Sequence, residues 1–130
     1  MTPEIDIPEV KAEVAAAFAA YERALTTNDV AALMAFFLDH PSTIRYGGAE
    51  NLYGPGEIAV FRAARSPVGL TRTLERTVIT TFGWDFAVAS TLFRRESTPG
   101  KIGRQMQTWV RTATGWKVAA AHVSMIDESR

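Results

Sequence analysis

The chain has no cysteine and only two histidines, His40 and His122, among its 130 residues. The first absence excludes a disulfide framework and the zinc sites built on paired thiolates. The second, with no histidine and carboxylates at ligand spacing, points away from a metal centre, and no metal or other cofactor is expected. No apolar run approaches the roughly 20 residues that span a bilayer. The opening Met-Thr-Pro-Glu-Ile-Asp is acidic and lacks a signal-peptide core, so the expectation is a soluble, cytoplasmic protein. Repeats, linkers and low-complexity tracts are missing too. The reading is one domain over residues 1–130, with 47% hydrophobic residues to supply a core.

The formal net charge is zero, yet the charges are unevenly placed. Between His40 and Ile126 stand eleven Lys or Arg against five acids, and nine of the eleven are Arg. Arginine presents a planar fork matched to carboxylates, which favours an anionic ligand with paired oxygens; the alternative is a set of solvated surface arginines. No basic run interleaves with aromatics and no nucleic-acid motif is present, so nucleic acid and membrane are not expected partners.

Helical spacing of Val10, Val14, Phe18, Tyr21 and Leu25 predicts a helix from about Pro8 to Leu25, with Tyr21 facing the core, where a buried phenol needs a partner. Asn28 is the expected N-cap of a second helix, Asp29 to Leu38, with Val30, Leu33, Met34 and Phe37 inward. A short strand near Thr43–Tyr46 ends at Gly47-Gly48, Glu50–Tyr53 returns beside it, and a third helix covers about Pro55–Arg65. Four long strands follow, near Leu70–Thr81, Phe86–Arg95, Gly103–Thr112 and Gly115–Met125, separated by turn signals. Helices followed by a run of antiparallel strands predict an α+β fold with helices on one face of a sheet.

The last two strands carry polar groups at regular intervals. A type I turn at Thr112-Ala113-Thr114 with Gly115 left-handed pairs Arg104 with Ser124, Met106 with His122, Thr108 with Ala120 and Val110 with Val118. Alternation then puts Arg104, His122 and Ser124 on the inward face with Trp116 and Val118, as pocket groups, and sends Gln105, Gln107, Trp109 and Arg111, with Ala119, Ala121 and Val123, outward as a protein interface.

The element order, the Gly115-Trp116 start of the last strand and the late His122-x-Ser124 resemble the SnoaL-like group of the nuclear transport factor 2-like superfamily. More closely, Glu50-Asn-Leu-Tyr-Gly54, Phe61-Arg-Ala-Ala-Arg65, Arg76-Thr-Val-Ile-Thr-Thr-Phe-Gly83, Gly103-Arg-Gln-Met-Gln-Thr-Trp-Val-Arg111 and Ala121-His-Val-Ser124 resemble the AtzH-like family, which includes HpxZ-type proteins. The resemblance implies a cone-shaped, curved, mixed sheet wrapped around N-terminal helices, and homodimers formed sheet to sheet. It also implies a setting in ureide and s-triazine (cyanuric acid) catabolism beside amidase-type hydrolases. The activity it implies is cofactor-free decarboxylation of 1,3-dicarboxyurea to allophanate; an accessory ligand-binding subunit for an amidase, in oxalurate-type catabolism, is the alternative.

Loss of carbon dioxide from an N-carboxylated urea leaves electron density on nitrogen, so the site must deliver a proton or hydrogen bond there. Clamping the departing carboxylate would stabilise the ground state and slow the step, so arginines should hold the remote carboxylate. Arg45, beside Gly47-Gly48, is the expected main anchor, with Arg72 and Arg104 as second anchors. Tyr21 and His122 are the candidate proton donors, and Asn51 and Ser124 the orienting groups. An ion pair with Glu50 is the structural alternative for Arg45, and Arg65, ending a helix, needs no ligand to explain it. Arg95 is expected to lie outside the site. A third reading, isomerisation or cyclisation of an apolar substrate, requires a carboxylate base, for which only Asp29 and Glu50 are candidates.

Overall fold

Pro8 opens α1 (Pro8–Thr26), where its missing N–H is one of the groups a helix start leaves unpaired anyway. The computed structural model describes residues 2–128. Val10, Val14, Phe18, Tyr21 and Leu25 form the buried stripe that their spacing predicts. The next cap differs from expectation by one residue. Asp29, not Asn28, caps α2 (Val30–Ala35), accepting from the Ala32 N–H at 3.1 Å, while Asn28 takes a left-handed φ of 53°. This helix stops before Leu38 because the chain turns to a competing partner: Phe36 accepts from the Val118 N–H at 2.7 Å and Leu38 donates to the Val118 carbonyl at 2.9 Å.

Two short strands, β1 (Ile44–Tyr46) and β2 (Asn51–Tyr53), precede α3 (Gly54–Ala64), and four long ones follow: β3 (Thr73–Phe82), β4 (Phe86–Arg94), β5 (Lys101–Thr112) and β6 (Gly115–Asp127). They form one mixed sheet in the order β2-β1-β6-β5-β4-β3, with β1 parallel to β6 and every other neighbouring pair antiparallel. Phe18, Tyr21, Leu33, Phe37 and Ile58 of the helical layer share one core with Ala87, Ala89, Trp109, Val118 and Ala121 of the sheet's inner face. No helix of the described residues is long and apolar enough to cross a membrane.

Directly opposed residues share a face, so the pairing sorts the sheet into rows. One inner row runs Ile79, Ala89, Gln107, Ala121, Arg45, Leu52, and the next runs Thr91, Gln105, Val123. On the other face a row runs Val78, Ser90, Met106, His122, Tyr46, Asn51.

These rows invert the expectation for the last hairpin. The pairs Arg104–Ser124, Met106–His122 and Thr108–Ala120 form as predicted, but a bulge follows: Trp109 opposes Val118, Val110 opposes Lys117, and Thr112 opposes Gly115. Ala119 is the extra residue. One inserted residue moves every side chain beyond it to the opposite face. Trp116 and Val118 therefore lie inward together with Ala121, and His122 does not share their side. Gln105, Gln107 and Trp109, expected outward, are at most 3% exposed.

Candidate active site

Five arginines converge above the inner row of Gln105 and Val123. Arg45, Arg62, Arg65, Arg72 and Arg95, with Leu25, Gln105 and Val123, line a cavity of about 30 Å³. They come from four parts of the chain. Arg45 is the middle residue of β1 and points inward by strand alternation; Arg62 and Arg65 end α3; Arg72 precedes β3; Arg95 follows β4. Four of these lie at or next to element ends, where backbone direction can change and long side chains can turn towards one point.

Aromatic rings hold the guanidinium groups in place. The carbons of the Arg45, Arg62 and Arg65 guanidiniums lie 4.9, 5.7 and 5.9 Å from the Phe61 ring centroid, and those of Arg72 and Arg95 lie 4.3 and 5.0 Å from that of Phe93. Such contacts favour a cation without neutralising it. Phe93 can lie across β5 only because residue 103 is glycine: a Cβ there would overlap its ring. Likewise a Cβ on Gly47 would overlap the Glu50 carboxylate, so Gly47 is what lets Glu50 fold over Arg45.

Two carboxylates offset part of the charge. Glu50 accepts from Arg45 Nη1 at 2.8 Å, and Glu22 takes both Nε and Nη2 of Arg72, whose Nη2 also donates to Gln105 Oε1 at 2.9 Å. Among the described residues, Arg62, Arg65 and Arg95 have no carboxylate partner, so five cations meet two anions and three charges stay unmatched. Arg62 is 2% exposed and donates Nη2 to the Tyr21 hydroxyl at 3.2 Å. Its Nε and Nη1, with Arg45 Nε, Arg95 Nε and Gln105 Nε2, are buried donors without an acceptor among the described residues. Buried donors of this kind are rare in folded proteins and costly.

The titration of these groups reflects the crowding. Burial pushes Arg62 down to about 10, with Arg45, Arg65 and Arg72 adding to the effect against a counter-pull from Tyr21. Burial and the neighbouring Arg95, Arg45 and Arg72 bring Arg65 to about 10, and Arg95 is lowered by burial and by Arg72. Burial opposes ionisation of Glu50, but the hydrogen bonds from Arg45 and the Ala49 N–H outweigh it, and its carboxyl lies below its ordinary value.

The expected site residues divide into two groups. Arg45 and Arg72 line the cavity, and Tyr21 reaches it through Arg62, its ring fixed edge-on at 6.0 Å by each of Phe36, Phe37 and Trp109. The Glu50 alternative for Arg45 forms as well, so the residue carries both an ion pair and a free Nε. Arg104, His122, Ser124 and Asn51 lie on the opposite face of the sheet. Arg104 is exposed and donates Nε to Ser124 Oγ at 3.3 Å, His122 stands edge-on to Tyr46 at 6.1 Å, and Asn51 is exposed on the edge strand. The bulge at Ala119 is the physical reason for this correction on β6, and Asn51 follows because it opposes outward-facing Tyr46. Asp29 is spent on its cap.

Arg62, Arg65, Arg95, Glu22 and Gln105 are the residues the sequence reading passed over. Two left a periodic signal. Ile58 and Arg62 are one helical turn apart, and Ala87, Ala89, Thr91 and Phe93 alternate inward to Arg95. Among the described residues no group of three or more His, Cys, Asp or Glu is placed to hold a metal ion.

The family model described as AtzH-like matches residues 3–129. A protein of unknown function from Pectobacterium atrosepticum SCRI1043, of family DUF3225, is 54% identical, with 95% of each chain covered and a TM-score of 0.92. A cystatin-like fold protein from Burkholderia xenovorans LB400 is 49% identical over 98% of this chain and 99% of its own, with a TM-score of 0.93. An NTF2-like protein from Pseudomonas putida KT2440, 16% identical over 89% of this chain and 86% of its own with a TM-score of 0.75, shares the fold. A search of curated proteins finds no match.

Proposed function

The chain belongs to the AtzH-like family, and from that premise we propose that it is a cofactor-free decarboxylase of a small N-carboxylated urea, 1,3-dicarboxyurea giving allophanate. Membership of the AtzH-like family and the NTF2-like fold support a small-molecule-binding or catalytic domain. The observation that carries the finer reading is the arginine cavity with its three unmatched cations and unpartnered donors. A dianion with planar, paired oxygens is the ligand that such a charge excess favours.

The roles follow from the lining. Arg45, Arg62 and Arg72 hold the remote carboxylate, and Arg65 and Arg95 lie on the exposed side, where they draw the dianion in. Leu25 and Val123 are the apolar part of the lining beside the held carboxylate. Tyr21 supplies the proton. Its oxygen accepts from Arg62, so its own O–H remains free to donate, and the Arg62 cation is placed to stabilise the phenolate that results. With His122 on the other face, no role in this step is assigned to it.

The test gives purified protein 1,3-dicarboxyurea, generated enzymatically, and follows allophanate or carbon dioxide over the spontaneous background. Acceleration is expected. Rates equal to background would overturn the decarboxylase reading in favour of the second one, an accessory ligand-binding subunit of an amidase, which needs the arginines but no proton donor. The Tyr21→Phe variant separates the two: it should lose most turnover while keeping ligand affinity.

A further inference from the structure

The cavity is small, and its chemistry is one-sided. About 30 Å³ corresponds to two or three water-sized positions, the size of a single carboxylate group and less than a whole ureide. Its unpartnered polar atoms are all donors: Arg45 Nε, Arg62 Nε and Nη1, Arg95 Nε and Gln105 Nε2. The acceptor that Gln105 brings is already taken by Arg72, and the two nearby carboxylates are committed to Arg45 and Arg72. A urea NH₂ or any other donor would therefore find no acceptor there, whereas a carboxylate, acceptor on both oxygens, meets donors throughout. Arg45, Arg62 and Gln105 are at most 5% exposed, so the donors are built into the interior.

From this we infer that the cavity is a one-carboxylate site: it recognises a single carboxylate independently of whatever carries it, so formate-sized monocarboxylates bind there in their own right and compete with the substrate. The inference rests on the proposed site but not on the proposed reaction. It names the substrate class as a carboxylate with acceptors only at its buried end, the rest of the molecule lying towards Arg65 and Arg95. One regulatory consequence follows. Short carboxylates, the reaction's own monocarboxylate product among them, hold the site against new substrate.

The experiment is isothermal titration and thermal unfolding of the full chain with sodium formate, compared with chloride and sulfate at matched ionic strength. Formate should bind with one-to-one stoichiometry and raise Tm above chloride, and sulfate, tetrahedral and larger, should give no saturable binding heat, whatever its general salt effect on Tm. Arg62→Met and Arg95→Met, each checked for folding by circular dichroism, should weaken formate binding at least tenfold. An equal Tm rise with all three salts, or formate binding unchanged in both variants, would overturn the inference. Failure of decarboxylation with formate still bound removes the proposed reaction and leaves this site standing; turnover without formate binding does the reverse.

Discussion

Arg62 is a buried cation whose only polar partner among the described residues is a phenol, an arrangement that lowers stability unless something else compensates. Replacing a buried ion pair by well-packed apolar residues is often neutral or stabilising by about 1–4 kcal/mol, and Arg62, with no carboxylate partner among the described residues, leaves no buried counter-charge behind when it is removed. Arg62→Met is therefore expected to unfold at equal or higher denaturant concentration than the parent while losing turnover by roughly 100-fold or more, the range typical of a lost electrostatic contact at a reacting centre. A structural arginine would give the opposite pattern, lower stability together with lost activity. Tyr21→Phe works in the other direction: it leaves Arg62 Nη2 without an acceptor and should cost about 1–3 kcal/mol, read by urea unfolding. At this scale the sequence reading succeeded where one residue's environment could be inferred from its own element, as for Tyr21 on the stripe of α1 and Arg45 on β1. Helical and strand periodicity place Arg62 and Arg95 on inward faces, but nothing in the sequence distinguishes an arginine there from a solvated surface charge.

Elements were legible to within a few residues, since the spacing of apolar positions and the turn residues mark them directly. Which face of the last hairpin turns inward was not. The turn fixed the pairing far from itself, Arg104 with Ser124, yet the bulge at Ala119 sits between that pairing and the buried Trp116 and Val118. A bulge leaves no alternation of its own in Lys117-Val118-Ala119-Ala120-Ala121, where small residues suit either face. The same hairpin shows how a strand supports the site from a distance. Gly103 opposes Phe93, and the Phe93 ring carries both Arg72 and Arg95. Gly103→Ala should force that ring aside at a cost of about 1–3 kcal/mol, the usual range for an added group in a filled interior. Loosened Arg72 and Arg95 should then raise KM more than they lower kcat. A KM left unchanged would show that Phe93 does not position the two arginines.

For the molecule as a whole, charge and apolar surface set two further expectations. Asp6, held by the Thr81 N–H, and Glu50, held by Arg45, both titrate below their ordinary values. A carboxyl lowered on folding contributes stability above its unfolded value and loses it as pH falls through its folded one, so unfolding should become easier below the ordinary carboxylate range. The arginines act with the same sign at the other end of the pH scale. Arg62 and Arg65 release protons near 10 in the folded chain, before they would in the unfolded one, so stability should rise as pH climbs from about 10 while carboxylate affinity falls over the same interval. The homodimer implied by the family resemblance remains a proposal, transferred to the face that the bulge turned outward. There Met106 is 57% and Val78 55% exposed in one row, beside a groove of about 410 Å³ lined by Ile44, Tyr46, Val88, Met106, Ala120 and His122. An exposed apolar patch spanning several strands suits a two-fold contact in which the same row from each copy meets its equivalent. Met106→Glu would bring two buried carboxylates together across that axis. Light scattering after size exclusion should therefore give a dimer for the parent chain and a monomer for Met106→Glu, with the Arg62 cavity still binding formate in both. A parent chain that runs as a monomer, or a variant that stays dimeric, would remove the outer face from the contact.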